Sequence, residues 1–196
     1  MSRQVVASSV EGVRVLLERR RAALARPIVA GVSGYCGAGK STLVRSIVGD
    51  APSFVRMRGD DFLDPTRSHQ RSVDWDGVER LRLVEEVLVP FQSRSESTFR
   101  RFDWNLRELG VPEPVPAGEI LLVDLIGLLH PDAMDALDMS IWVDVPQQTA
   151  PRRGMRRDEE LDRDHSRLWL DVWMPNDSDF DQYYAPRERA EVLYRG

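Results

Sequence analysis

Ile28-Val-Ala-Gly-Val-Ser-Gly-Tyr-Cys-Gly-Ala-Gly-Lys-Ser-Thr42 is the stretch that decides the fold. Its first six residues, Ile28 to Ser33, form an apolar run of strand length, bounded upstream by Pro27. Gly34-x-x-x-x-Gly39-Lys40-Ser41 follows with the spacing of a phosphate-binding P-loop, and the chain to Val48 continues as a helix. Each residue type has a physical reason to be there. Glycines let backbone N–H groups curl around phosphate oxygens without side-chain clashes, and the N-terminus of the next helix adds partial positive charge. In this pattern Lys40 reaches the β- and γ-phosphates, the Ser41 hydroxyl ligates Mg²⁺ and Thr42 helps hold the α-phosphate. The expected nucleotide-binding set is therefore Gly34, Tyr35, Cys36, Gly37, Ala38, Gly39, Lys40, Ser41 and Thr42. Cys36 reads as a small filler, because no second cysteine exists to make it a redox pair.

Composition reinforces this stretch. Of 27 basic residues only Lys40 is a lysine, which suggests a place where arginine's planar fork cannot replace a compact ammonium. The 32 acidic residues outnumber the basic ones and give a net charge of −5, which argues against a general nucleic-acid binder. Apolar content of 42% and charged content of 30% belong to a soluble globular chain, and 196 residues fit one domain with a small lid. One cysteine excludes an intramolecular disulfide and a cysteine zinc cluster, and His69, His130 and His165 lack ligand spacing. No apolar run approaches bilayer-spanning length, and the N-terminus lacks a signal-peptide core, so a cytoplasmic chain with no membrane partner is expected.

Working outward, Val10, Val13, Leu16, Leu17 and Leu24 predict a helix within residues 5–25. Phe54 to Arg58 reads as a strand running into Gly59-Asp60-Asp61-Phe62, and 77–89 as an amphipathic helix. Residues 91–118, with Pro112, Pro114 and Pro116, read as an extended polar connector. Glu119 to Asp124 and Met139 to Asp144 read as buried strands, 147–158 and 159–173 as helices, and Ala190 to Tyr194 as a last strand. Asp177-x-Asp179-x-Asp181 has the start of a calcium loop, but Gln182 stands where the central glycine belongs, so an acidic surface loop is expected. Strands alternating with helices predict a three-layer α/β fold, a central parallel sheet with helices on both faces. A single domain over 1–196 is expected, with an N-terminal helix within 1–26 and a helical lid over about 147–165.

The acids then suggest chemistry. Asp60 and Asp61 follow a strand, and so stand at the carboxyl edge of a parallel sheet, where the P-loop also opens. A carboxylate there can accept a hydroxyl proton or hold a metal through water. Asp124 ends the strand Ile-Leu-Leu-Val in the Walker-B manner, an acid facing Mg²⁺. Asp144 reads as a cap before Pro146.

At this point the chain resembles the uridine kinase and phosphoribulokinase family of P-loop kinases over most of residues 27–158. Ile28 to Thr42 is similar to the family's first strand and phosphate loop, and Gly59-Asp-Asp-Phe-Leu63 to its Asp-Asp-Phe motif, which would make Asp60 the base and a metal contact. Val73-Asp-Trp-Asp76 resembles the segment whose second acid meets acceptor hydroxyls, with Val78 where the family has proline. Phe102-Asp103-Trp104 resembles an acceptor-side element, and Arg100-Arg101 before it either meets a negative substrate or is solvated. Trp75 and Trp104 either wall the acceptor pocket or pack in the core. Arg152-Arg-Gly-Met-Arg-Arg-Asp158 resembles the lid helix, with Arg153 and Arg157 closing over the γ-phosphate. Ala150-Pro151 and Asp124-Leu125 depart from the family's arginine and Glu-Gly.

The resemblance implies an ATP- and Mg²⁺-dependent phosphotransferase acting on a hydroxyl of a small metabolite, most simply a uridine-like nucleoside. Its catalytic residues would be Lys40, Asp60, Arg153 and Arg157, its acceptor contacts Asp61, Asp76, Arg101 and Asp103, and its metal contacts Ser41, Asp60 and Asp124. A sugar, vitamin precursor or antibiotic acceptor stays open, as does a nucleotide-binding regulatory module, and so does homo-oligomer formation. The deciding observation is whether Asp60 and Asp76 face one cavity beside the P-loop.

Overall fold

The computed structural model describes residues 4–104, 106 and 108–196. Six parallel strands form the main sheet in the order β1-β8-β7-β2-β6-β3. They are β1 (Val5–Ala7), β2 (Ile28–Ser33), β3 (Phe54–Arg58), β6 (Ile120–Asp124), β7 (Met139–Val143) and β8 (Val192–Tyr194). β4 (Thr98–Asp103) and β5 (Glu108–Pro114) form a separate antiparallel pair.

All six residues of β2 are buried, as a continuous apolar run in a sheet covered on both faces requires. Alternation sends Ile28, Ala30 and Val32, with Ile120 and Leu122 of β6, into one core. There they meet Val13 and Leu17 of α1 (Val10–Leu24) and Leu43, Val44 and Ile47 of α2 (Lys40–Val48). Val29, Leu121 and Val123 enter the other core, against Leu83, Val87 and Leu88 of the helix over 80–93 and Trp169 and Phe180 of the helix over 166–184. The predicted three-layer α/β architecture is the one observed.

Several boundaries differ, each for a local reason. Val5–Ala7 is a strand rather than the start of the helix, because Ser9 caps α1 by accepting the Gly12 N–H at 3.1 Å and leaves the β-branched pair free to join β8. The predicted helix over 77–89 lies at 80–93 and is π-helical over Val84–Leu88. The connector is largely the β4–β5 hairpin, whose buried Phe99 and Phe102 hold it to the body; Pro112 and Pro114 sit on β5, which among the described residues pairs only with β4, and Pro116 follows it. The acidic surface loop is not a loop. Helix continues from Ser166 through a π-helical Trp169–Trp173 to Tyr184, burying Asn176 and Asp177. Asp144 ties β7 to the last strand region through Arg187 and Arg195, both at 2.7 Å.

Candidate functional site

The carboxyl ends of β2, β6 and β3 lie side by side, with Val32 and Arg58 both in register with Asp124. The turns leaving β2 and β3 open on one cleft of about 910 Å³. Its floor is the P-loop from Cys36 to Thr42 with Arg45; Asp60 and Leu63 follow β3, and Ile126 follows β6. Arg153 and Arg157 come from the helix Ala150–Glu160, and Arg163, His165, Trp169 and Trp173 from the segment after it. His69 and Trp104 complete the lining. A second cavity, about 690 Å³ and lined by Pro90, Phe91, Pro114 and Pro116 among others, contains none of the P-loop residues.

Gly37 and Gly39 take φ of +82° and +100°, where other residues are strained, and a Cβ on Gly37 would stand 2.2 Å from the Ala150 carbonyl oxygen. Lys40 is buried, and its Nζ donates to the Gly34 and Tyr35 carbonyls, each at 3.0 Å. The Asp60 carboxylate is 58% exposed, but it opens into the cleft, whose walls desolvate it. That desolvation, with the charge of Asp124, raises its pKa against the pull of Arg58, Lys40 and Arg56. Lys40, Ser41, Asp60, Arg153 and Arg157 thus meet in one cleft, as the sequence suggested.

Other expected site residues go elsewhere. Asp124 does not line the cleft: both its oxygens are taken by the Arg56 guanidinium, at 2.7 and 2.8 Å. Asp61 is buried and accepts from Arg101 at 2.9 Å, and Arg101 also reaches Glu113, so this pair fastens the hairpin instead of facing the cleft. Burial raises the pKa of Asp61 more than Arg58 and Arg101 lower it. Asp103 accepts the Leu106 N–H at 3.0 Å within the hairpin turn and is likewise outside the cleft lining. Asp76 is 60% exposed at the surface, 3.5 Å from Arg67, and does not share the cavity with Asp60. The neighbouring tryptophan explains this: Trp75 turns into the core with φ of +57°, sending the chain past the cleft. Trp75 is therefore a core residue, whereas Trp104 is a cleft wall.

Sequence reasoning missed the residues that complete the walls. His69 stands 6.0 Å from Trp173 and 6.3 Å from Trp104 between ring centroids, and His165 packs edge-on against Trp173 at 5.5 Å. His165, Trp169 and Trp173 recur every four residues, a helical periodicity that was available to read. Asp158 fixes the base of this wall, accepting from Trp169 at 2.9 Å, His165 at 3.2 Å and Arg157 at 2.9 Å. Burial works to raise its pKa, but those hydrogen bonds outweigh it and the net shift is downward. Arg80 is also buried; it donates to the Gly127 carbonyl at 2.8 Å and to the Asp74 carbonyl, and burial pushes its pKa down to about 10.

Among the described residues, no group of three or more His, Cys, Asp or Glu side chains gathers as a metal cage, and no helix is long and apolar enough to cross a membrane. No protein-family model matches the sequence, and no curated protein matches it. Solved structures match the fold. A protein from Bacillus stearothermophilus described as a possible uridine kinase superposes with a TM-score of 0.65 at 12% identity, covering 93% of this chain and 98% of that one. A protein from a Silicibacter species, described as a candidate fructose transport system kinase, gives 0.72 at 15% identity, over 95% of this chain and 99% of that one. The chain therefore shares the P-loop kinase fold of these two proteins.

Proposed function

We propose that this chain is an ATP-dependent phosphotransferase that phosphorylates a hydroxyl of a small metabolite. The observation that carries the reading is the meeting of Lys40, Asp60, Arg153 and Arg157 in one cleft at the carboxyl end of a parallel sheet. The two fold neighbours, described as kinases of a nucleoside and of a sugar system, are consistent with it.

P-loop amides and Lys40 hold the phosphates, and Arg153 and Arg157 close over the transferring group from the helix above. Asp60 takes the acceptor's proton as the new O–P bond forms and the bond to the departing ADP breaks, and the desolvation that raises its pKa makes it a stronger base than a free aspartate. The donor set suits Mg²⁺, which keeps several waters and needs few protein oxygens, so Ser41 and Asp60 would hold it while Asp124 stays with Arg56. Held there, it would supply positive charge to offset that of the phosphates.

On the acceptor side the rings of His69, Trp104 and Trp173 favour a planar or ring-bearing alcohol, for which a uridine-like nucleoside is the first choice and a sugar, vitamin precursor or antibiotic the next. The enzyme would work as a single domain in the cytoplasm, with residues 147–165 as its lid. One observation favours a second reading, a nucleotide-binding regulatory module: Asp76, the expected acceptor contact, lies outside the cleft. A screen of ATP consumption across nucleosides, sugars and hydroxylated cofactor precursors tests the choice. Acceptor-dependent ADP release supports the kinase. Nucleotide binding with only slow, acceptor-independent hydrolysis across the panel supports the module.

A further inference from the structure

The helix Met174–Tyr184 carries two consecutive buried polar residues that phosphoryl transfer does not use. Asn176 holds the loop on the acceptor side: its amide donates to the Gln70 carbonyl at 2.9 Å and its oxygen accepts the Ser72 N–H at 3.0 Å. Asp177, only 6% exposed, reaches the other way and accepts the Cys36 backbone N–H at 2.6 Å. A buried carboxylate is costly to keep, and the hydrogen bonds to this one come from the Cys36 backbone and from the Cys36 and Trp75 side chains, with none from an arginine or lysine among the described residues.

The peptide it grips explains the placement. The Cys36 N–H belongs to the peptide group whose carbonyl is that of Tyr35, and the Tyr35 carbonyl accepts from Lys40 Nζ at 3.0 Å. In a planar trans peptide the N–H and C=O point in opposite directions. One peptide plane is therefore pinned between a carboxylate on one side and the P-loop ammonium on the other. Turning that plane would break both bonds.

We propose that Asp177 is a positioning residue for the nucleotide site, fixing the Tyr35–Cys36 peptide and through it the curl of the P-loop and the place of Lys40. The C-terminal helix is then part of the nucleotide site without touching nucleotide. Burial pushes the Asp177 carboxyl up to about 6, against the lowering effect of Lys40 and the Cys36 N–H, as an acid held in place for its geometry would show.

The test is calorimetric titration of the full chain with ADP and Mg²⁺. Asp177→Ala should weaken binding about tenfold or more, the scale of a lost charge-assisted hydrogen bond. Asp177→Asn keeps an acceptor oxygen in place and should restore most of the affinity, whereas Asp177→Glu keeps the charge, misplaces the oxygen and should bind weakly. Val87→Ala, a cavity in the core beneath the 80–93 helix, should lower the melting temperature with no change in affinity. Should the alanine variant not fold, the Asn and Glu variants decide alone. Alanine binding within about twofold of wild type, equal Asn and Glu affinities, or Val87→Ala weakening binding as much as Asp177→Ala would each overturn the inference. It rests on the nucleotide reading above, and a wild-type chain that does not bind ADP with Mg²⁺ would instead overturn that reading.

Discussion

The P-loop and the set of residues expected to meet the acceptor differ in how local their construction is. On the nucleotide side, one contiguous stretch from Ile28 to Val48 supplies strand, loop and helix, and Lys40 lies where the motif requires. Of the residues expected to meet an acceptor, Asp61, Asp76, Arg101 and Asp103 come from a turn, a surface loop and a hairpin, and none of them lines the cavity. A site made of backbone amides is fixed by short-range geometry. A site made of side chains on separate segments depends on which partners tertiary packing offers, and here Arg101 and Arg67 claim Asp61 and Asp76.

That contrast can be broken by mutation. The largest effect is expected for Lys40→Ala, which should cut transfer by about 10³-fold or more with circular dichroism unchanged. Near-normal turnover would remove the P-loop from the mechanism. Asp60→Asn should lower kcat by about 10²- to 10⁴-fold while leaving ATP affinity within about threefold. Unchanged kcat in that variant would deny Asp60 the role of base.

A smaller effect sharpens the nucleotide half through pH. The folded-state pKa of Asp177 is raised from 3.8 to about 6, so between those values the folded chain keeps a proton that the unfolded chain releases. Stability from this group is therefore fully present below the unfolded value and lost as pH rises through the folded one. Asp177→Asn should remove that increment, on the order of 2 kcal/mol, from the difference in stability between about pH 4 and about pH 7. Parallel pH–stability curves for wild type and variant would contradict the raised carboxyl. The smallest effect belongs to Asp76→Asn, whose exposed pair with Arg67 predicts activity within about twofold of wild type. A large loss there would restore Asp76 to the acceptor site.

What the sequence made legible follows the same division. The β2 run, the P-loop and the order of strands could be read because apolar continuity and glycine spacing act over a few residues. The helix over 166–184 was misjudged at its acidic end because its carboxylates look solvent-facing in one dimension. The burial of Asp177 comes from the P-loop 141 residues away, and no local pattern records it. Asp124 was read as facing metal because its strand ends correctly. In the structure Arg56, one strand over and 68 residues earlier, holds both oxygens of Asp124, and the β3–β6 register brings the two together. The hairpin was hidden by prolines that mark an edge strand as readily as a connector.

The lone lysine has a thermodynamic consequence. Its ammonium does not wait bare for a phosphate, because the Gly34 and Tyr35 carbonyls already solvate it. On the proposed function, nucleotide arrival would be an exchange reaction in which two carbonyl dipoles are traded for an anion. The net gain is the difference between the two states, far less than the attraction of opposite charges counted alone. The same exchange would run backwards when product leaves, with the loop's own oxygens as the competitor that lets the phosphate go.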